Sequence, residues 1–281
     1  MKLLRIGPSG SEAPAILDTD GIARDVSSIV SDFGPETISP ALHERLAAAD
    51  LTQLPALPAD ARIGAPVSRV GHFIAVGLNY VDHAAESSQP APTEPIIFSK
   101  APNSLSGPND PVVLPKGSVK GDWEAELAFV IGRRCDYVAE DDALSHVFGY
   151  AVCNDVSERE YQFRPGGQWL KGKSAPTFGP LGPWLVTADE IPDPQSLHIF
   201  LDLNGERVQD GNTAKMIFSV AHLISYISRF MVLEPGDVVT TGTPHGVGMG
   251  RTPQVFLKAG DTMRLGIAGL GEQQQVVKQR T

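Results

Sequence analysis

Apolar positions in this chain recur mostly at a spacing of two and in short runs, which predicts strands and turns rather than long helices. Leu3-Leu4-Arg5-Ile6 and Ala15-Ile16-Leu17-Asp18 read as short strands, and Asp18-Thr19-Asp20-Gly21 as a hairpin turn before Ile22–Val26. Ser39-Pro40 opens a helix, with Ser as the cap, Pro at the first position and Leu42, Leu46 and Ala49 at helical spacing. Leu54 to Pro66 is a Pro-rich connector, placed here as the boundary between a small N-terminal unit, residues 1–65, and a main domain, residues 66–281. Beyond it, Phe73–Gly77 and Phe148–Cys153 are predicted to be buried strands, and Asn79–Glu86 a short helix. Asn204-Gly205 marks a hairpin. Phe218–Phe230 is amphipathic, with Val220, Leu223, Ile224 and Ile227 on one face. Val238–Thr241 runs into the glycine-rich stretch Gly242–Gly248, which has no dinucleotide spacing and no following lysine, so no phosphate loop is read there. Residues Met263–Leu265 and Gln275–Val277 complete the strands.

Composition narrows this picture. The chain has 281 residues, 42% hydrophobic and 20% charged, as expected of a globular protein with a sizeable core. Its net charge of -10 and its lack of Lys/Arg runs argue against nucleic acid as a partner. No segment is long and apolar enough for a membrane span, and the start of the chain shows no signal peptide, so a cytoplasmic location is expected. Cys135 and Cys153 are too few for a disulfide framework and are expected to be buried thiols.

The candidate chemistry begins with Gly121–Gly132, read as one strand ending in Leu-Ala-Phe-Val-Ile. Alternation puts Glu124 and Glu126 on the same side. Two like charges entering a core need positive compensation, and a hard divalent cation supplies it. The run by itself equally fits an edge strand whose glutamates face water. Asp155 ends a second apolar strand and could complete a three-carboxylate site, or cap a helix starting near Ser157. His83 and Glu86 share a helical face, as a water-activating pair would, although a solvated helix explains them as well. Lys171 and Lys173 flank Gly172, and a lysine there could neutralise an enolate, with a solvated loop as the plainer account of Lys171. Residues 84–95, rich in Ser, Pro, Gln and Thr, are expected to act as a lid.

In this order the pieces resemble the fumarylacetoacetate hydrolase family. The resemblance spans roughly residues 70–280 and rests on Gly77–Glu86, Asp122-Trp123-Glu124-Ala125-Glu126, Asn154–Ser157, Lys171–Ser174, Gly179–Trp184 and Thr241–Pro244. It implies an α+β, mostly β fold, a mixed β-sandwich roll with a small N-terminal α+β domain, usually a homodimer. It implies Mg2+ or Mn2+ on Glu124, Glu126 and Asp155, a His83–Glu86 dyad and a catalytic Lys173, with Gln162 and Thr243 contacting the substrate carboxylate. The reaction so implied is hydrolysis of a carbon–carbon bond in a 2,4-dioxo acid, either an acylpyruvate or a 2,4-diketo-3-deoxy sugar acid, to pyruvate and a carboxylic acid. Ala175-Pro176 stands where many relatives carry Phe-Asp, which bears on substrate identity more than on metal binding. Oxaloacetate decarboxylation, isomerisation or hydration of a 2-oxo-dienoate, ureidoglycolate lysis and a non-catalytic metal-binding role are the alternatives on the same fold.

Overall fold

A computed structural model of the chain describes residues 1–86, 90–164 and 166–281. Among the described residues the strands assemble into two large sheets and a two-stranded ribbon. Among the described residues the larger sheet has eleven strands, and its main path runs through Ala23–Asp25, Ala13–Leu17, Lys2–Ile6, Gly179–Thr187, Val147–Asn154, Ala125–Ile131, Val238–Thr240, Phe73–Gly77 and Ile96–Lys100. Most neighbours are antiparallel, but Val238–Thr240 runs parallel to Phe73–Gly77. The smaller sheet has five strands, in the order Glu206–Asn212, His198–Leu203, Thr262–Ile267, Gly271–Gln279 and Val112–Leu114.

Strand alternation explains how the layers pack. Ala125, Leu127, Phe129 and Ile131 face one cluster together with Ile199, Leu201, Leu265 and Ile267 of the smaller sheet. Ala128 and Val130 point the other way, into a cluster with Leu3, Ile16, Val26, Leu42 and Leu46. Every residue of Ala125–Ile131 is therefore buried. The fold is a β-rich sandwich with an N-terminal α+β region.

That region is not a detached unit. Lys2 and Leu3 pair with Val186 and Leu185, so its strands extend the main sheet. Its helix Pro40–Ala47, capped by the Ser39 hydroxyl accepting from Leu42 N–H, buries Leu42 and Leu46 over that sheet. Arg62 reaches Asp110 with two hydrogen bonds of 2.7 and 2.6 Å, across the predicted boundary. A Pro-rich connector marks a change of local structure, but the core runs through it.

Local signals elsewhere behave as their chemistry dictates. Asn204 and Gly205 both take positive φ, 52° and 84°, the turn that joins two twisted antiparallel strands in a tight hairpin. Val220, Leu223, Ile224 and Ile227 are the buried face of helix Val220–Ile227. Both cysteines are buried and unpaired. No helix of the described residues is long and apolar enough to cross a membrane.

Candidate active site

The run Gly121–Gly132 is not one strand. Gly121–Asp122 pairs with Ser157–Glu158 in a small ribbon, and the sheet strand begins only at Ala125. Between them the chain is pinned from across the sheet. Glu124 N–H donates to Asn154 Oδ1 at 3.1 Å, and Asp155 N–H donates to the Glu124 carbonyl at 2.9 Å. The break does not separate the carboxylates. Glu124, Glu126 and Asp155 are all buried, and one oxygen from each lies within 4.8 Å of the others. The solvent-facing edge strand is thereby excluded. Asp155 does not cap the following helix, because the Glu158 carboxylate does so by accepting from Glu160 N–H.

Three cations neutralise most of this charge. Lys173 Nζ lies 2.5 Å from Glu124 Oε2 and 2.7 Å from Asp155 Oδ2. Lys100 Nζ donates to Asp155 Oδ1 at 2.5 Å. Arg159 reaches Glu124 Oε1 at 2.6 Å and Asp122 Oδ2 at 2.8 Å. Burial opposes the Glu124 charge, but Arg159 and Lys173 outweigh it and hold its carboxyl at about 2. Burial likewise opposes the Lys173 ammonium, but Asp155 and Glu124 hold it above the usual lysine value, so it acts as a cation rather than a base. Glu126 is the exception. Burial, with Asp155 and Glu124 beside it, pushes its carboxyl well above the ordinary range. Its acceptor Oε2 takes one backbone hydrogen bond, from Gly242 N–H at 2.9 Å.

A divalent cation fits this donor set. The three ligands are all carboxylate oxygens, which suit Mg2+ or Mn2+, and Glu126, which no ammonium or guanidinium reaches among the described residues, is the acid that a bound cation would let ionise in place of its proton.

His83 and Glu86 sit on helix Val81–Glu86, set by a sharp turn at Leu78, whose φ is 52°. Asn79 anchors that turn. Its amide donates to the carbonyls of Phe218 and Thr241 at 3.0 and 2.8 Å. The dyad is formed, with His83 Nδ1 3.2 Å from Glu86 Oε2. Glu86 Oε1 accepts from Gly246 N–H at 2.9 Å, which fixes the carboxylate against the ring. Gly246 is itself required, because with φ +100° an added Cβ would lie 1.9 Å from the Val208 carbonyl oxygen. The glycine-rich stretch Gly242–Gly248 is thus a backbone cradle for site acids. Gly248 and Met249 N–H donate to the two oxygens of Asp122 at 2.7 and 3.1 Å.

His83, Glu124, Glu126, Arg159, Gln162, Lys173 and Thr243 all line one cavity of about 380 Å³, a size suited to a small organic acid. Gln162 is buried and its carbonyl accepts from Arg159, leaving its amide N–H groups for a ligand. The Thr243 hydroxyl is committed, donating to the Ala125 carbonyl and accepting from Gln209, both at 2.8 Å. Lys171 is exposed. Of the predicted lid, residues 87–89 lie outside the described residues.

Sequence reasoning missed Lys100, Arg159 and Asp122. Asp122 continued the two-residue alternation of Glu124 and Glu126, and Arg159 stands one helical turn before Gln162, so each carried a signal.

Residues 72–278 match the fumarylacetoacetate (FAA) hydrolase C-terminal family. The chain belongs to that family. A Burkholderia ambifaria protein with a general hydrolase name is 58% identical over 276 residues, covering 98% of both chains. The fumarylacetoacetate hydrolase of Exiguobacterium antarcticum superposes with a TM-score of 0.89 at 36% identity, with each chain fully covered. A maleylpyruvate hydrolase from Sphingobium sp. SYK-6, solved with manganese(II) and pyruvate, gives 0.83 at 31% identity, again with each chain fully covered. These fumarylacetoacetate hydrolase relatives support catalysis on a 2-oxo acid type of substrate as the general role of the chain.

Proposed function

We propose that this chain hydrolyses a carbon–carbon bond in a 2,4-dioxo acid, an acylpyruvate or a 2,4-diketo-3-deoxy sugar acid, releasing pyruvate and a carboxylic acid. The observation that carries the reading is one cavity lined by Glu124, Glu126, Lys173 and His83, with Asp155 clustered against the two glutamates and Glu86 hydrogen-bonded to the histidine. Glu124, Glu126 and Asp155 would hold Mg2+ or Mn2+, which supplies a Lewis acid for the substrate's oxygens when bound. His83, oriented by Glu86, takes a proton from water so that the oxygen can attack the 4-keto carbon. Breaking the C3–C4 bond leaves pyruvate as its enolate. Lys173, kept protonated, stabilises that developing negative charge. Gln162 is placed to donate to the substrate carboxylate. The manganese and pyruvate bound by the Sphingobium relative support this assignment. A homodimer belongs to the same reading and is checked by sedimentation of the pure protein.

The test is pyruvate release, in a coupled assay, from a panel of 2,4-dioxo acids and from oxaloacetate, with Mg2+ or Mn2+. Release that requires the metal and is lost in Glu86→Gln supports hydrolysis. Metal-dependent release from oxaloacetate alone, unaffected by Glu86→Gln, would make the chain a decarboxylase, because loss of carbon dioxide needs no attacking water.

A further inference from the structure

The cavity is chemically two-ended, and its apolar end has a direction. Lys173 Nζ lies 5.3 Å over the Phe98 ring. Phe98 meets Trp169 edge-on, with ring centroids 5.3 Å apart, and Trp169 meets Phe163 in the same way at 6.1 Å. Phe163 is 53% exposed, so this aromatic row leads from the lysine out to the surface. Trp169 can lie against the neighbouring strand only because residue 77 is glycine, where a Cβ would stand 2.3 Å from the indole. Leu78, Ile96 and Met249 complete the apolar wall.

We propose that the group carried on C4 of the substrate is uncharged and mostly apolar, so that dicarboxylic 2,4-dioxo acids are disfavoured. This rests on the 2-oxo acid reading above. With the keto-acid head at the carboxylates and Lys173, the remainder of the molecule lies along Phe98, Trp169 and Phe163. The cationic side chains lining the cavity, Arg159 and Lys173, are already paired at its polar end with Asp122, Glu124 and Asp155. The other titratable groups there are His83, Glu124 and Glu126. Residues 87–89 and 165 are Ser, Ser, Gln and Pro, none of which carries a charge. A second carboxylate would be taken from water into an aromatic channel with no counter-charge, a costly transfer. An alkyl group in the same place gains by burial. Lys100, behind the polar end, is likewise paired with Asp155, and Lys120 and Arg164 line an adjoining groove that shares Phe163 and Met249 with the cavity, where Arg164 is exposed beside Glu160.

The experiment compares two stable acids with the same six-carbon chain, 2-oxohexanoate and 2-oxoadipate, which differ at the far end as methyl against carboxylate. Each is titrated calorimetrically into the Mn2+-loaded protein. The expected result is tighter binding of 2-oxohexanoate, on the order of tenfold or more. Met249→Arg and, independently, Phe163→Lys should each move the preference toward 2-oxoadipate. Equal or tighter binding of 2-oxoadipate by the unmodified protein overturns the inference while leaving the 2-oxo acid reading intact. Loss of that binding in Arg164→Ala would then locate the second carboxylate in the adjoining groove. Failure of both acids to bind, with Mn2+ shown to be bound, overturns the inference together with the 2-oxo acid reading.

Discussion

Two clusters of charged side chains in this molecule have the same bookkeeping and opposite character. Near the N-terminus, Arg5 and Arg62 meet Glu12, Asp32 and Asp110. At the cavity's polar end, Lys100, Arg159 and Lys173 meet Asp122, Glu124, Glu126 and Asp155. Each cluster holds one more acid than it has cations. In the first, every carboxylate has a guanidinium. Arg5 grips Asp32 at 2.7 and 2.9 Å, Arg62 grips Asp110 at 2.7 and 2.6 Å, and Glu12 bridges the two arginines at 3.3 and 2.8 Å. Solvent reaches its edges, so the excess charge is dispersed. In the second cluster the cations crowd onto Asp122, Glu124 and Asp155, and Glu126 is left with backbone donation. The first arrangement is a finished staple. The second is unbalanced at one carboxylate, inside a cavity, which is where a cation would be recruited.

The largest effect should come from removing that imbalance. Glu126→Gln keeps the shape and can still accept from Gly242, but it removes the carboxyl that would ionise on binding a cation. Turnover is expected to fall on the order of 10²–10³-fold or more. Mn2+ should raise the melting temperature of the unmodified protein by mass action and leave that of Glu126→Gln unmoved. Equal stabilisation of both proteins by Mn2+ would contradict the assignment of Glu126 as a ligand.

A second substitution sharpens the contrast within the site. Glu86 touches His83 and the Gly246 N–H but none of the three clustered carboxylates. Glu86→Gln is expected to lower hydrolysis on the order of 10²–10⁴-fold, because the imidazolium formed on proton transfer loses its partner. Its Mn2+-induced rise in melting temperature should match that of the unmodified protein. If the metal response disappears too, water activation and metal binding are not separate tasks here.

Breaking the staple should do the reverse. Arg62→Ala strips Asp110 of two hydrogen bonds and Glu12 of one. Partial exposure reduces the cost, expected at about 1–3 kcal/mol, read as a shift in the urea midpoint. Turnover of the folded protein should stay within about twofold, since the cluster lies outside the cavity. A large loss of turnover with normal stability would mean that the N-terminal region acts on the site.

The sequence announced these clusters unequally. Glu124 and Glu126 were legible because strand alternation is local, and His83 with Glu86 because helical spacing is local. Asp155 showed as an acid ending an apolar run. Lys173 was singled out over Lys171 by family resemblance alone. Lys100 was not legible, and Arg159 only weakly, by its spacing from Gln162, since a lone lysine at a strand end or an arginine on a short helix ordinarily reaches water. Only the fold brings Asp155 to Lys100 and Glu124 to Arg159. The break at Trp123-Glu124 is likewise set by Asn154, thirty residues away. The N-terminal strands were visible as strands, but their pairing with Gly179–Thr187 was not. The Pro-rich connector therefore suggested a unit more separate than the shared core allows.

The smallest effect concerns acid. Glu12 and Asp110 are both held below their ordinary values of 4.5 and 3.8, because hydrogen bonds and charge from the arginines outweigh the opposing effect of burial. For such groups the unfolded chain takes up protons first as pH falls. Their stabilisation is complete above the ordinary values and is lost as pH drops through the lower, folded ones. Asp110→Asn removes one titrating group from this linkage. The variant should start less stable at neutral pH, yet lose stability less steeply below about pH 4. The two stability curves, measured by urea unfolding in metal-free buffer, should therefore converge as pH decreases. Glu124, Glu126 and Asp155 are present in both proteins, so their contribution cancels in the difference. Parallel curves down to pH 3 would mean that the Arg62–Asp110 pair is too well solvated to stabilise the fold, and that the staple holds by hydrogen bonding and packing alone.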